Sequence, residues 1–123
     1  MTDRQRVAVL GASKKEDRYS YKAFSMLREY GHIPVPVHPV LKDLEGVPVV
    51  DSLDSIEGGI DTLTVYIGPQ HIESAIPSII RLRPGRVILN PGTESPVLID
   101  ALEKAGIPYL EACTLVLLRT SQF

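Results

Sequence analysis

The sequence Arg6-Val7-Ala8-Val9-Leu10-Gly11-Ala12-Ser13 decides the fold. Its apolar run, Arg6–Leu10, is typical of a buried strand, and Gly11 directly after it permits a tight turn. A helical pattern follows from Tyr19 or Ser20 to Tyr30, and Gly31 stands where a glycine commonly ends a helix. A strand, a glycine turn and a helix in this order predict the beginning of an α/β fold.

The same order recurs along the chain. Further strands are predicted at Ile33–Val37, Thr62–Ile67, Arg86–Leu89 and Ile107–Leu110. The prolines of Ile33–Val37 fit an edge or irregular strand better than a central one. Helical patterns cover His71–Leu82, where Pro77 should kink or restart the helix, and the residues from Pro96 to Ala105, with Ser95 as N-cap and Gly106 as C-terminal glycine.

Two segments are less regular. Leu41–Gly59 is predicted to be a connector with a short extended piece, Val47–Val50, and a brief helical turn through Ile56 that begins at Asp51 or Ser52. The apolar segment Thr114–Leu118 fits either a strand or a helix, and its apolar residues could pack against a second subunit.

Alternating strands and helices require crossover connections, which produce a largely parallel sheet with helices on both faces. We therefore expect an α/β, doubly wound, Rossmann-like sheet of about five strands. With 123 residues and no linker or repeat, the chain is expected to be a single domain over residues 1–123.

The composition excludes several classes of protein. A formal net charge of −2 and 6% aromatic residues argue against nucleic-acid binding. No apolar run approaches the roughly 20 residues of a membrane span, and the polar N-terminus does not resemble a signal peptide. The single cysteine, Cys113, excludes an intrachain disulfide and a multi-cysteine metal site, so we expect no metal and a cytoplasmic protein.

In an open parallel sheet, ligands bind in the loops after the strands. The first such loop offers Gly11, the Ser13 hydroxyl and the start of a helix, followed by the cations Lys14, Lys15 and Arg18. This combination suits a phosphate or pyrophosphate, although a solvated turn with ordinary surface charges would look the same.

Two classical nucleotide signatures are absent. Gly11 is not followed by the remaining glycines of G-x-G-x-x-G, and His38-Pro39 stands where an acidic residue would hold the ribose of NAD. The phosphate-loop pattern G-x-x-x-x-G-K-[ST] is absent too. A classical NAD(P) oxidoreductase or a nucleoside triphosphatase is therefore disfavoured.

The sequence resembles the small stand-alone CoA-binding proteins, whose domain is similar to the CoA-binding domain of the succinyl-CoA synthetase α subunit. The resemblance covers nearly the whole chain. Its residues are Val7 to Ser13, Gly31 to Pro39 with Gly46, Ile60-Asp61, Asn90 to Glu94 and Ala112 to Val116.

This resemblance implies that coenzyme A or an acyl-CoA binds at the carboxyl ends of the strands, without catalysis by the domain alone. The phosphates would bind at the first turn and helix start, the adenosine near the second and fourth strand ends, and the pantetheine arm towards residues 90–94. The implied ligand-binding residues are Gly11, Ala12, Ser13, Lys14, Lys15, Arg18, Tyr19, Ser20, His38, Pro39, Ile67, Gly68, Pro69, Asn90, Pro91, Gly92 and Thr93.

Single residues leave alternatives open. Cys113 could react with the CoA sulfur but is more often plain packing, and Tyr66 is expected to pack in the sheet. Glu94 suits a helix N-terminus, and His32 and His71 suit the surface or a helix start. The alternative function is a small NAD(P)-type enzyme or redox protein that uses Cys113 or His38; a protein partner is also open.

Overall fold

The computed structural model describes residues 4–123, and its first strand, β1, is Arg6–Leu10 as predicted. Helix α1 follows at Tyr19–Glu29 and buries Ala23, Phe24 and Leu27. Each of the larger two side chains contributes about 1.5–3 kcal/mol by this burial. Gly31, with φ of +87°, ends the helix as expected.

The edge strand β2, Ile33–Val37, pairs in parallel with β1. The Ile33 N–H donates to Gln5 O, so the backbone polar groups of alternate residues in β2 point towards β1. The backbone groups of Pro34 and Pro36 point away from β1. The prolines therefore cost no ladder hydrogen bond, as predicted for an edge. On the outer side, Pro36 O accepts a hydrogen bond from Val50 N.

The connector is more ordered than expected. It contains a hairpin of β3, Asp43–Leu44, and β4, Val47–Pro48, of which only the second arm was predicted. Glu45 and Gly46 at its turn have φ of +50° and +83°, the backbone that a two-residue hairpin loop requires. A 3₁₀ turn at Leu53–Ser55 follows, in the predicted place.

The second half contains the other elements in the predicted order. The strands are β5 at Thr62–Val65, β6 at Arg86–Leu89 and β7 at Tyr109–Glu111. The helices are α2 at Pro69–Ile72, α3 at Ile76–Leu82, α4 at Pro96–Ala105 and α5 at Thr114–Arg119.

Some predicted boundaries differ from those observed, and the alternatives left open by the sequence are decided. The strand predicted to reach Ile67 ends at Val65, and the helix predicted from His71 begins at Pro69. That helix restarts at Ile76 beside Pro77, after a 3₁₀ turn, as its proline predicts. Thr114–Leu118 is helical, and Ser95 caps α4 by accepting a hydrogen bond from Leu98 N at 3.2 Å.

The main sheet has five parallel strands, as the sequence predicts, and their order is β2-β1-β5-β6-β7. Because β2 and β5 lie on opposite sides of β1, the strand order reverses between β1 and β5. Helices α3 and α4 cover one face of the sheet, and α1 and α5 cover the other. In the described residues, no helix is long and apolar enough to cross a membrane.

The apolar residues of α5 pack inwards. Leu115 and Leu118 are 4% and 1% exposed, and Leu118 lies in the same core cluster as Phe24 and Leu27. Val116, which is half exposed, is the exception. Leu115 and Leu118 thus belong to the core of this chain, and packing of the segment against a second subunit stays a prediction.

Candidate functional site

The loops after β1 and β5 pack tightly at the point where the strand order reverses. Gly11 has a φ of +92°, and a Cβ atom there would lie 2.8 Å from Ile67 Cγ2 and 3.1 Å from the carbonyl carbon of Tyr66. Tyr66 N donates to Leu10 O at 2.9 Å, and Ala12 N donates to Val37 O at 3.2 Å. The ends of β2, β1 and β5 are thereby fixed together, and only glycine fits between them.

A polar groove of about 280 Å³ lies over this junction. It extends from the loop after β1 and the start of α1, across the loop after β5, to the loop after β6. We refer to it as the groove; its lining residues are Gly11, Ser13, Arg18, Tyr19, Ser20, Tyr66, Gly68, Pro91, Gly92 and Thr93.

A smaller cavity of about 210 Å³ adjoins the groove on the α5 side. The two share the walls formed by Tyr19, Tyr66 and Pro91. We refer to it as the cavity; its remaining lining residues are Asn90, Cys113 and Leu115. The groove and the cavity therefore form a continuous surface along the carboxyl edge of the sheet.

The charges of this surface have one sign. Arg18 lines the groove, and no described residue lining the groove or the cavity carries a carboxylate. Arg18 is also the N-cap residue of α1, whose first turn has neither an acidic residue nor a side-chain cap. A helix N-terminus is already positive, so an arginine there is unfavourable for the fold alone. The arrangement favours a bound anion.

A buried asparagine organises the far end of the site. Asn90, 2% exposed, donates from Nδ2 to Thr64 Oγ1 at 2.7 Å and to Val65 O at 2.9 Å. Its Oδ1 accepts from Thr114 N at 2.9 Å, the first residue of α5. Asn90 thus joins β5, β6 and α5, and its amide group is fully engaged in holding the cavity wall.

The Tyr66 ring lines both compartments, but its hydroxyl does not face solvent. The oxygen is buried and has no hydrogen-bond partner among the described residues, while the neighbouring Thr64 and Thr114 hydroxyls pair with each other at 2.8 Å. Burial raises the pKa of Tyr66 to about 12, so the phenol stays protonated. The wall of the cavity therefore contains the uncharged ring of Tyr66.

The structure brings most of the residues predicted for the site together. Those that line the groove or the cavity are Gly11, Ser13, Arg18, Tyr19, Ser20, Gly68, Asn90, Pro91, Gly92 and Thr93. The Ser13 hydroxyl accepts a hydrogen bond from Lys15 N at 3.1 Å, and Thr93 Oγ1 donates to Asn90 O at 2.7 Å. These two hydroxyls therefore shape their loops.

The other predicted residues lie beside the groove or under it. Ala12 is buried and Ile67 and His38 are half-buried, whereas Lys14, Lys15, Pro39 and Pro69 are exposed and do not line it. His38 Nδ1 accepts hydrogen bonds from Val40 N at 3.0 Å and Leu41 N at 2.9 Å. That nitrogen is used by the turn, and Nε2 is left as an N–H donor.

Two residues expected to be plain packing also line the cavity. They are Tyr66 and the half-buried Cys113, and their expected packing role stays a prediction. The signal for Tyr66 was a period of two along β5, where Thr62, Thr64 and Tyr66 alternate with the apolar residues of the other face. Cys113 and Leu115 gave no such signal, because their position depends on where α5 begins.

The remaining polar residues have structural contacts. His32, expected at the surface, is 5% exposed; its Nδ1 accepts from Gln5 N at 3.1 Å. His71 is exposed on α2. Glu94, near the start of α4, accepts from Gly92 N at 2.9 Å. In residues 4–123, no group of three or more His, Cys, Asp or Glu side chains could hold a metal ion.

The comparisons with known proteins agree with this geometry. The family described as "CoA binding domain" matches residues 5–119. The uncharacterized protein YneT of Bacillus subtilis (strain 168) is 36% identical over 62 residues, which are 50% of this chain and 46% of YneT. This chain therefore matches about half the length of that curated relative.

Solved structures share the fold. A crystal structure of an uncharacterized protein has a TM-score of 0.92 and 37% identity, and the match covers 99% of this chain and 100% of that one. A dinucleotide-forming acetyl-coenzyme A synthetase 1 from Ca. Korarchaeum cryptofilum, in complex with phosphate and ADP, has a TM-score of 0.76 at 16% identity. That match covers 88% of this chain and 25% of the synthetase, and shows a shared fold.

Proposed function

Because this chain belongs to the CoA binding domain family, we propose that it binds coenzyme A or an acyl-CoA along the groove, at the carboxyl ends of the parallel strands. The observation that supports this most strongly is Arg18, a cation at a helix N-terminus that has no acidic partner in the helix and lines the groove. An anion in the groove would turn this unfavourable charge into a favourable one.

The residues present fit the phosphate groups of coenzyme A. The first N–H groups of α1, at Tyr19 and Ser20, have no intrahelical acceptor, and Arg18 directly precedes them. Gly11 and Ser13 of the first loop line the groove beside Arg18. We assign the phosphates to this end of the groove, with charge-assisted hydrogen bonds from Arg18.

The strand order gives the ligand a direction. Loops of β2, β1, β5 and β6 lie in that order along the carboxyl edge. We assign the adenosine to the neighbourhood of His38-Pro39 and residues 67–69, the phosphates to the loop after β1, and the pantetheine arm to residues 90–93. In this arrangement the sulfur of coenzyme A points towards the cavity.

A binding role without catalysis is the function that the site supports best. Asn90 Oδ1, the Ser13 hydroxyl oxygen and His38 Nδ1 each accept a backbone hydrogen bond that holds a loop, and no hydrogen bond joins these three side chains as a nucleophile and a base. One observation favours the alternative of a redox or thiol-exchange protein, namely the Cys113 thiol in the cavity wall. That alternative predicts an activity which Cys113→Ala removes, whereas binding of coenzyme A should survive this substitution.

Native mass spectrometry of the purified protein, followed by calorimetric titration with CoA, pantetheine, ADP, ATP and NAD, tests the proposal. We expect CoA to bind most tightly, because it alone fills both the phosphate and the pantetheine part of the groove. Pantetheine and ADP should each bind more weakly. Tighter binding of NAD or ATP than of CoA would refute the proposed ligand and leave the family relationship as evidence for the fold.

Lys14 and Lys15 are assigned a secondary part. They are exposed and outside the groove, but they belong to the same loop as Arg18 and can attract a ligand with several negative charges. The double variant Lys14→Ala/Lys15→Ala should weaken CoA binding at low salt and less so at high salt. The exposed Lys104→Ala, near the end of α4, is the matched control. An unchanged affinity at low salt would remove these lysines from the site.

A further inference from the structure

The cavity differs chemically from the groove that it adjoins. Its wall consists of the Tyr19 and Tyr66 rings, Pro91, Leu115, Cys113 and Asn90. Among residues 4–123 no cation lines it, both Asn90 N–H groups donate to protein acceptors, and the Tyr66 hydroxyl is buried. A phosphate therefore has no partner in the cavity.

The pantetheine arm is not a good occupant either. It carries two amide groups, and burying an amide without hydrogen-bond partners costs about 1–3 kcal/mol each. The cavity offers few free partners, whereas Pro91 and Gly92 of the groove are exposed. What the cavity suits is an apolar group attached to the ligand beyond its amides.

We propose that the cavity binds the acyl group of a short-chain acyl-CoA, so that the ligand of this protein is an acyl-CoA and not free coenzyme A. This proposal rests on the proposed function, because the acyl chain enters only if the CoA part lies in the groove. The shared walls of Tyr19, Tyr66 and Pro91 provide the continuity between the two compartments.

The size of the cavity limits the length of the acyl chain. A volume of about 210 Å³ holds roughly seven atoms of the size of a water molecule or a methylene group, at about 30 Å³ each. A butyryl thioester has four carbons, an oxygen and the sulfur. Acyl groups of about four to six carbons therefore fill the space, and longer chains must project into solvent.

Calorimetric titration of the full chain with CoA, acetyl-CoA, butyryl-CoA, hexanoyl-CoA and lauroyl-CoA tests the proposal. Each buried methylene contributes up to about 0.8 kcal/mol, which corresponds to about fourfold in affinity. We expect butyryl-CoA to bind at least tenfold more tightly than CoA, and the gain to end near hexanoyl-CoA. Equal affinities for CoA and butyryl-CoA overturn the acyl assignment. A steady rise through lauroyl-CoA also overturns it, because it shows contact with an open surface.

The variant Cys113→Leu locates the effect. It adds apolar volume inside the cavity at a residue with extended backbone, which leucine accepts. The ratio of butyryl-CoA affinity to CoA affinity, measured within this same variant, should fall about tenfold. The matched control is Val116→Leu, at a half-exposed position of the same helix outside the cavity. A retained preference in a folded Cys113→Leu protein, checked by thermal unfolding, places the acyl group elsewhere.

The outcomes separate the two proposals. If CoA binds and butyryl-CoA binds no better, the proposed function stands and the acyl assignment fails. If neither CoA nor any acyl-CoA binds, the proposed function itself fails. The length series uses the unmodified protein, so it decides the matter even where the variant does not fold.

Discussion

Arginines are placed differently, relative to the helix ends, at the two edges of the main sheet. At the amino edge, where helices end, arginines match the negative helix ends: Arg83 donates to Ala105 O at 3.0 Å, and Arg28 and Arg119 lie in the last turns of α1 and α5. At the carboxyl edge, where helices begin, Arg18 has the unfavourable sign. The arginines at the amino edge therefore match the ends of their helices, whereas Arg18 at the carboxyl edge does not match the start of α1.

The two edges also differ in how side chains pack over them. At the amino edge Arg86 Nε donates to Thr62 Oγ1 at 2.9 Å, which donates to Gln5 Oε1 at 2.6 Å. The Phe123 ring lies 4.7 Å from the Arg86 guanidinium and 5.0 Å from the His32 ring. These side chains cover part of the amino edge and leave an open pocket of about 370 Å³ beside them, which is lined by Arg4, Gln5, Asp61, Thr62, Gly85 and Arg86.

The largest expected effect is at the buried end of the open edge. Asn90→Ala removes three hydrogen bonds and leaves the Thr114 N–H and Val65 carbonyl without partners, which should lower the free energy of unfolding by about 2–4 kcal/mol. Thr62→Val at the amino edge removes two hydrogen bonds that are only part-buried and should cost less, about 1–2 kcal/mol. Urea unfolding measures both. An equal loss in the two variants would show that Asn90 does not hold α5 in place.

Gly11 gives the next effect. In Gly11→Ala, the positive φ costs about 1–2 kcal/mol, and the Cβ contact with Ile67 and the Tyr66 backbone raises the total to about 2–3 kcal/mol. The matched control is Gly31→Ala, which has a similar φ of +87° but no atom within 4 Å of the added Cβ. Gly31→Ala should lose only the stability that the positive φ costs, about 1–2 kcal/mol. Equal losses in urea unfolding would mean that the loops after β1 and β5 separate freely.

Arg18 tests the contrast between the edges directly. Arg18→Ala should weaken CoA binding about tenfold, since a charge-assisted hydrogen bond contributes about 1.5 kcal/mol or more. It should leave the unfolding free energy unchanged or raise it by a few tenths of a kcal/mol, because an unfavourable charge is removed. Arg119→Ala, at the end of α5, should do the reverse: slightly lower stability and unchanged binding. Calorimetry and urea unfolding at low ionic strength check both variants, and a stability loss in Arg18→Ala would assign Arg18 to the fold.

The parts of this molecule that depend on local pattern could be predicted from the sequence. The β1 run, the Gly11 turn, the Ser95 cap and the edge prolines of β2 each express a backbone rule within a few residues. The family resemblance then indicated the loops of the groove. The β3–β4 hairpin was half missed because its turn, Glu45-Gly46, lacks the usual Asn-Gly or Asp-Gly signal.

The cavity could not be predicted in the same way. Its wall combines Tyr19, Tyr66 and Cys113, which belong to three distant segments and meet only because α5 packs beside β5. Thr114–Leu118 is apolar enough to be a strand or a helix, so nothing local fixed where its first residue would lie. His32 is buried for a similar reason, because the Phe123 ring at the far end of the sequence packs against it.

The smallest expected effect concerns pH at the amino edge. Burial, and secondarily the charge of Arg86, lowers the pKa of His32 from its ordinary value of 6.5. The unfolded chain then binds a proton that the folded protein excludes, so the stability present above about pH 6.5 decreases as the pH falls towards the lowered pKa. His32→Asn keeps a hydrogen-bond acceptor for Gln5 N but does not titrate, and its unfolding free energy should change less between about pH 7.5 and about pH 5 than that of the unmodified protein. His71→Asn, on the exposed surface of α2, should keep the original slope. If His32→Asn kept the original slope as well, the pH dependence of the unfolding free energy would not come from His32. The contrast between the two edges would then rest on Arg18 alone.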